Sequence, residues 1–165
     1  MSDFYGTVIG FQGYTTLRNI DYGTPTDEEI GAALVVASEW IDAVYRSMFP
    51  GLKVDGRDQV REWPRSGATD IYGYPISSTT PPTEVESATY EATIRQLAIP
   101  GSLSTDYTPN KYRRAQVEGA VNVEYRSFDS AMEAQTRLMI VDQILAPVLS
   151  NQNTGTSVAG YALRG

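Results

Sequence analysis

The chain has 165 residues, with 13 Lys and Arg against 20 Asp and Glu, a formal net charge of −7, and neither cysteine nor histidine. That length suits one domain with extended arms. Without cysteine there is no disulfide framework or thiolate metal site. Without histidine the commonest general base, triad orienter and metal ligand are missing, so Ser-His-Asp, Cys-His and zinc-dependent mechanisms are excluded.

Residues 1–25 are rich in Gly, Thr and aromatics, with Gly6, Gly10, Gly13 and Gly23 as punctuation. They are read as an extended N-terminal arm or short strands, with a turn near Gly13. Thr26 and Glu29 then form a capping box, and Asp27, Glu28 and Glu29 sit where a helix dipole favours negative charge. These carboxylates read as a helix start rather than a metal site. The helix is expected to run to Met48. Its apolar residues Ile30, Leu34, Ala37, Ile41, Val44 and Met48 fall within an arc of roughly 80° at about 100° per residue. Phe49-Pro50-Gly51 stops it.

Residues 50–82 lack a long period and read as a long ordered loop with turns at Asp55-Gly56 and Tyr72-Gly73-Tyr74-Pro75. Trp63 precedes a proline and must be extended. Trp63, Tyr72 and Tyr74 are the expected anchors of this loop. A second helix over about 82–98 opens on Pro81-Pro82, carries a narrow stripe of Val85, Ala88, Ala92 and Ile99, and ends at Pro100-Gly101. Thr89, Thr93 and Arg95 dilute that stripe.

A polar linker follows. Residues 112–126 then alternate apolar and polar in Val121-Asn122-Val123-Glu124-Tyr125, with Glu118-Gly119-Ala120 as a turn, which is the pattern of a β-hairpin. A third helix over about 129–149 is marked by Leu138, Val141, Leu145 and Leu149, with Pro147 kinking or ending its last turn. Residues 151–165 are a tail with only scattered apolar residues, Val158, Tyr161 and Leu163 among them. The fold class is therefore mainly α: a small helical bundle over 26–150 with a β-hairpin, a long ordered loop, and extended N- and C-terminal arms.

The search for chemistry returns little. No phosphate-binding glycine loop or calcium loop is present. Carboxylate pairs such as Glu84 with Glu86, or Glu91 with Glu133, read as solvated surface in so acidic a chain. No enzyme activity and no cofactor are expected. Lys111, Arg113 and Arg114, with Tyr107 and Tyr112, are the one basic cluster interleaved with aromatics. It reads in three ways: a track for a nucleic-acid backbone with stacking tyrosines, a solvated strand edge, or an ion-pair patch for an acidic protein. Overall acidity argues against tight DNA binding. No run is long enough to span a membrane, and Met1-Ser2-Asp3-Phe4 lacks the basic and apolar regions of a signal peptide, so no membrane partner and synthesis in the cytoplasm are expected. Eleven tyrosines and two tryptophans suit either core packing or protein interfaces. The two arms read as segments that order on a partner or as simple terminal disorder.

Taken in order, Trp63-Pro64-Arg65-Ser66-Gly67, Asp70 through Gly73-Tyr74-Pro75, a Pro-initiated Ala-rich helix, Val123-Glu124-Tyr125 and Leu145-Ala146-Pro147-Val148-Leu149 resemble a group of phage proteins. These are the head-to-tail connector adaptors of tailed bacteriophages, and similar chains are also classed as DnaT-like single-strand DNA-binding proteins. The likeness covers about residues 26–150. It implies a virion protein, made in the bacterial cytoplasm, that forms a dodecameric ring in the neck between the portal protein and the stopper or tail proteins. DNA would pass through its lumen without specific binding. On that reading Trp63, Arg65, Tyr72 and Tyr74 would line a subunit interface, and Val158, Tyr161 and Leu163 would dock on the portal. The alternative is a DnaT-like single-strand DNA-binding replication protein using Lys111, Arg113 and Arg114.

Overall fold

The structure is a computed structural model that describes residues 3–104, 114–117, 121–124 and 138–150. Its centre is a pair of helices, α2 (Asp27–Tyr45) and α3 (Thr83–Ala98), flanked by α1 (Val8–Leu17) on one side and the short α4 (Met139–Leu145) on the other. The sequence explains α2 directly. The Thr26 hydroxyl accepts from the Glu29 amide, and the Glu29 carboxylate accepts from the Thr26 amide at 2.8 Å, completing the expected capping box. Ile30, Leu34, Ala37 and Ile41 all point inward from the face that the periodicity marks.

On α3 the expected stripe of Val85, Ala88 and Ala92 is buried, and Thr89 and Thr93 lie in the core beside it. Each hydroxyl is satisfied within the helix, Thr89 donating to the Val85 carbonyl and Thr93 to the Thr89 carbonyl at 2.8 Å. A threonine that returns its proton to its own helix packs like a small apolar residue, so α2 and α3 approach closely across small side chains. Ile99, the last residue of the expected stripe, is exposed. Val141, Leu145 and Val148 close this core from α4 and the 3-10 turn after it, joining Trp40, Tyr45, Phe49 and Trp63. Pro147 sits in that turn and ends the helix, as its missing amide requires. The expected helical residues 129–137 lie outside the described residues.

Residues 8–17 correct the reading of the N-terminal arm as extended: they form α1. The Thr7 hydroxyl caps it by accepting from the Gly10 amide at 2.9 Å. Its inward residues Phe11 and Tyr14 join Ile30, Leu34 and Tyr90 in a second apolar cluster, with ring pairs Phe11–Tyr22 and Tyr14–Tyr90 at 5.0 and 5.4 Å. Gly10 weakens the propensity of α1, and Gly6 precedes its cap at φ of +75°, but both are required by this packing. A Cβ at either would overlap the Tyr90 ring or its hydroxyl, and that hydroxyl accepts from the Thr7 amide.

The long loop holds more order than its turns imply. β1 (Leu52–Lys53) pairs antiparallel with β2 (Arg65–Ser66), with a 3-10 turn over Gly56–Asp58 between them. The hairpin is present as β3 (Arg114–Val117) and β4 (Val121–Glu124), with Val117 opposite Val121 and Arg114 opposite Glu124.

Candidate functional site

Three places bear on function: a buried polar knot, an exposed tyrosine turn and the division of charge along the chain.

The knot ties the first residues to the long loop through α2. Asp42, buried in the middle of α2, accepts from the Tyr5 hydroxyl at 2.5 Å and, at a longer 3.4 Å, from the Arg61 guanidinium and the Glu62 amide. The Tyr5 hydroxyl accepts in turn from the Trp63 amide at 3.1 Å, and Arg61 donates to the Asp3 carbonyl at 2.7 Å. Burial pushes the Asp42 carboxyl above the usual carboxylate range, with Tyr5 and Arg61 pulling the other way. Burial and the adjacent carboxylate push the Tyr5 phenol up. A carboxyl and a phenol this enclosed hold structure, and beside them Phe4, Tyr5, Val60, Arg61 and Trp63 line a hollow of about 230 Å³.

Arg65 works similarly. Its guanidinium donates to the Pro50 and Gly51 carbonyls and to the Glu62 carboxylate, each at 2.7 Å. The Trp63 ring meets Phe49 edge-on at 5.5 Å, across a cis Trp63–Pro64 bond. Both residues, candidates for a subunit interface, are inside the fold and fasten the loop to the body.

The other two interface candidates lie outside it. Asp70 organises a tight turn: its carboxylate accepts from the Tyr72 and Tyr74 amides at 2.9 and 2.8 Å, its own amide donates to the Tyr74 carbonyl at 2.9 Å, and its carbonyl accepts from the Gly73 amide at 3.0 Å. Gly73 takes φ of +87°, which favours glycine. The Ile71 amide anchors the turn by donating to the Pro147 carbonyl at 2.9 Å. Tyr72 and Tyr74 project from it 76% and 69% exposed.

Of the acidic pairs considered, Glu91 accepts from the Tyr14 hydroxyl at 2.7 Å, and burial together with this bond pushes the Tyr14 phenol up to about 12. Burial raises the Glu86 carboxyl above its usual range. Glu133 lies outside the described residues, as do Val158, Tyr161, Leu163, Lys111 and Arg113; Arg114 is the first residue of β3.

Charge is divided unevenly. Residues 3–104 and 138–150 carry fifteen carboxylates against seven Lys and Arg, whereas residues 105–137 carry five of each. Two of those seven, Arg61 and Arg65, are buried and engaged as described. The Arg18 guanidinium lies over the Tyr14 ring, 3.6 Å from its centroid, and the Lys53 ammonium donates to the Gln59 carbonyl at 2.6 Å. The body thus has a strongly negative surface and few free cations. Sequence reasoning missed the knot, because a mid-helix aspartate such as Asp42 carries no sign of burial until α2 is packed.

Residues 2–165 match the model of a family described as "Putative DnaT-like ssDNA binding protein". No curated protein and no solved structure matches the chain.

Proposed function

This chain belongs to the family of that description, and on that premise we propose that it is a DNA-associated structural protein whose two tasks are divided along the chain. Nucleic-acid contact is confined to the segment around Tyr107, Lys111, Tyr112, Arg113 and Arg114, and the acidic helical body makes protein contacts. The observation that carries this is the partition of charge. Phosphate is attracted by unpaired cations and repelled by carboxylates, and the body buries two of its seven cations. Around 107–114, cations alternate with tyrosines, the combination on which a single strand can be tracked and its bases stacked. The test is fluorescence anisotropy of a labelled single-stranded oligonucleotide with the full chain. Neutralising Arg113→Gln and Arg114→Gln together weakens binding severalfold at moderate salt, while duplex of the same length binds less well. Undiminished binding by the double variant would refute the assignment.

A finer reading is favoured by the body itself: a head-to-tail connector subunit of a phage neck. A ring through which a genome passes is served by an acidic wall that does not hold phosphate, and its subunits need exposed apolar anchors such as Tyr72 and Tyr74. Mass spectrometry and microscopy of purified particles test it. A ring of this protein beneath the portal supports the connector, and its absence from particles leaves the single-strand binder.

A further inference from the structure

The hollow beside the knot is mostly apolar, walled by Phe4, Tyr5, Trp63, Pro64 and Pro81, with the exposed Val60 at its rim. At about 230 Å³ it is smaller than the roughly 300–1,000 Å³ of sites for drug-sized ligands, so it suits a single ring. Its buried polar side chains present donors. The Trp63 indole N–H has no acceptor among the described residues, although Trp63 is only 2% exposed. A buried donor left in that state is uncommon and calls for a reason. The Arg61 guanidinium spends its Nε on the Asp3 carbonyl at 2.7 Å, but its two terminal nitrogens reach carboxylates only at 3.4 and 3.7 Å, from Asp42 and Glu39. The Tyr5 hydroxyl is engaged both ways, with Asp42 and with the Trp63 amide. What the hollow lacks is an acceptor oxygen.

Charge and shape narrow the occupant. A carboxylate or phosphate would meet Asp42 and Glu39, which already flank Arg61. A nucleobase would bring phosphates on either side onto the negative surface of the body. A tyrosine or tryptophan would add another donor. Proline differs from all of these. It has a compact ring, its own and the preceding carbonyl as acceptors, and no amide N–H. Prolines in extended segments dock against aromatic walls, and their polyproline conformation is ordered before binding. Basic residues beside the proline would complement the carboxylates of the body. We propose that this hollow binds a proline of an extended, basic segment of a partner protein, with the peptide carbonyls accepting from the Trp63 indole and the Arg61 guanidinium. This deepens the protein-contact half of the function proposed above and rests on it. A single ring-sized hollow gives a weak contact, which repeated segments on the partner would strengthen.

The chain has two tryptophans, so a proton–nitrogen NMR spectrum of the full chain holds two indole N–H signals. The probe is the blocked tetrapeptide Lys-Pro-Pro-Lys, titrated to millimolar concentration. The Trp63 indole signal is expected to move downfield, as it does when an N–H gains an acceptor, while that of Trp40 stays. Lys-Ala-Ala-Lys leaves both in place, and Glu-Pro-Pro-Glu binds severalfold more weakly. Val60→Lys, which removes the apolar rim and repels the basic flanks, weakens binding severalfold; Thr79→Lys, also on the lining, serves if that variant folds poorly by circular dichroism. No movement with Lys-Pro-Pro-Lys, or equal movement with Lys-Ala-Ala-Lys, would overturn the proposal. Movement of the same signal by oligothymidine would overturn it too, and would give the hollow to a base. Oligonucleotide anisotropy on the same samples separates this from the DNA assignment. Absent peptide shifts, with oligonucleotide binding weakened in the Arg113→Gln, Arg114→Gln variant, indict the hollow alone. Peptide shifts with undiminished oligonucleotide binding by that variant indict only the segment around 107–114.

Discussion

Asp42 shows how much of this fold hangs on single polar atoms. Its carboxylate has one close hydrogen bond, from Tyr5, and two long ones, so burial outweighs its partners and raises its pKa. The linkage sign follows. A carboxyl whose folded pKa lies above the unfolded value of about 3.9 contributes stability fully below that value and loses it as pH rises through the folded pKa. Wild type should therefore hold its largest advantage over Asp42→Asn below about pH 4, narrowing toward neutrality. Urea unfolding across that range checks it, and an advantage that widens with pH would contradict it. Tyr5→Phe removes the donor to Asp42 and the acceptor for the Trp63 amide together, and should cost about 1–3 kcal/mol in the same assay. None of this was legible in the sequence. Tyr5, Asp42 and Arg61 look like scattered surface polars until α2 brings them together. Arg65, an interface candidate on the resemblance alone, has its guanidinium consumed by the Pro50 and Gly51 carbonyls, which no local sequence signal shows.

At the scale of elements, α2 was readable because its cap, first-turn acids and apolar period agree, and Thr26→Ala should cost about 1 kcal/mol of unfolding free energy. α1 was hidden because Gly10 and Gly13 suppress its helix propensity, and Gly10 is there for a neighbour, Tyr90, rather than for a turn. Propensity and packing accordingly make opposite forecasts for Gly10→Ala. Alanine gains about 1 kcal/mol in a helix interior, but its methyl would meet the Tyr90 hydroxyl, and overpacking typically costs 1–3 kcal/mol. The expected result is net destabilisation by thermal melting, partly relieved in the Gly10→Ala, Tyr90→Phe double variant. Stabilisation by Gly10→Ala alone would mean that α1 is not seated on α3 as described. The hairpin was legible from two-residue alternation in Val121-Asn122-Val123-Glu124, a pattern that needs no knowledge of the rest of the chain.

The whole molecule is a negatively charged helical body joined to a segment where charges balance. Composition made the acidity plain from the start, but composition alone cannot say which cations are free. That needed the fold, which shows Arg61 and Arg65 buried, Arg18 over an aromatic ring and Lys53 on a carbonyl. The tyrosine turn was visible as a turn, but of the three expected loop anchors only Trp63 turns in; the Tyr72 and Tyr74 side chains face outward and anchor nothing within the described residues, the turn being fastened instead by backbone and Asp70 hydrogen bonds. The most direct test of the division of labour is the salt dependence of single-stranded oligonucleotide binding. It compares wild type, the Lys111→Gln, Arg113→Gln, Arg114→Gln triple variant, and an Arg57→Gln, Arg95→Gln variant of the body. Each phosphate neutralised on a single strand contributes about 0.7 to the slope of log affinity against log salt, so the triple variant should flatten that slope by about 2 while the body variant leaves it unchanged. An unchanged slope in the triple variant, or one flattened by the body variant, would contradict the account.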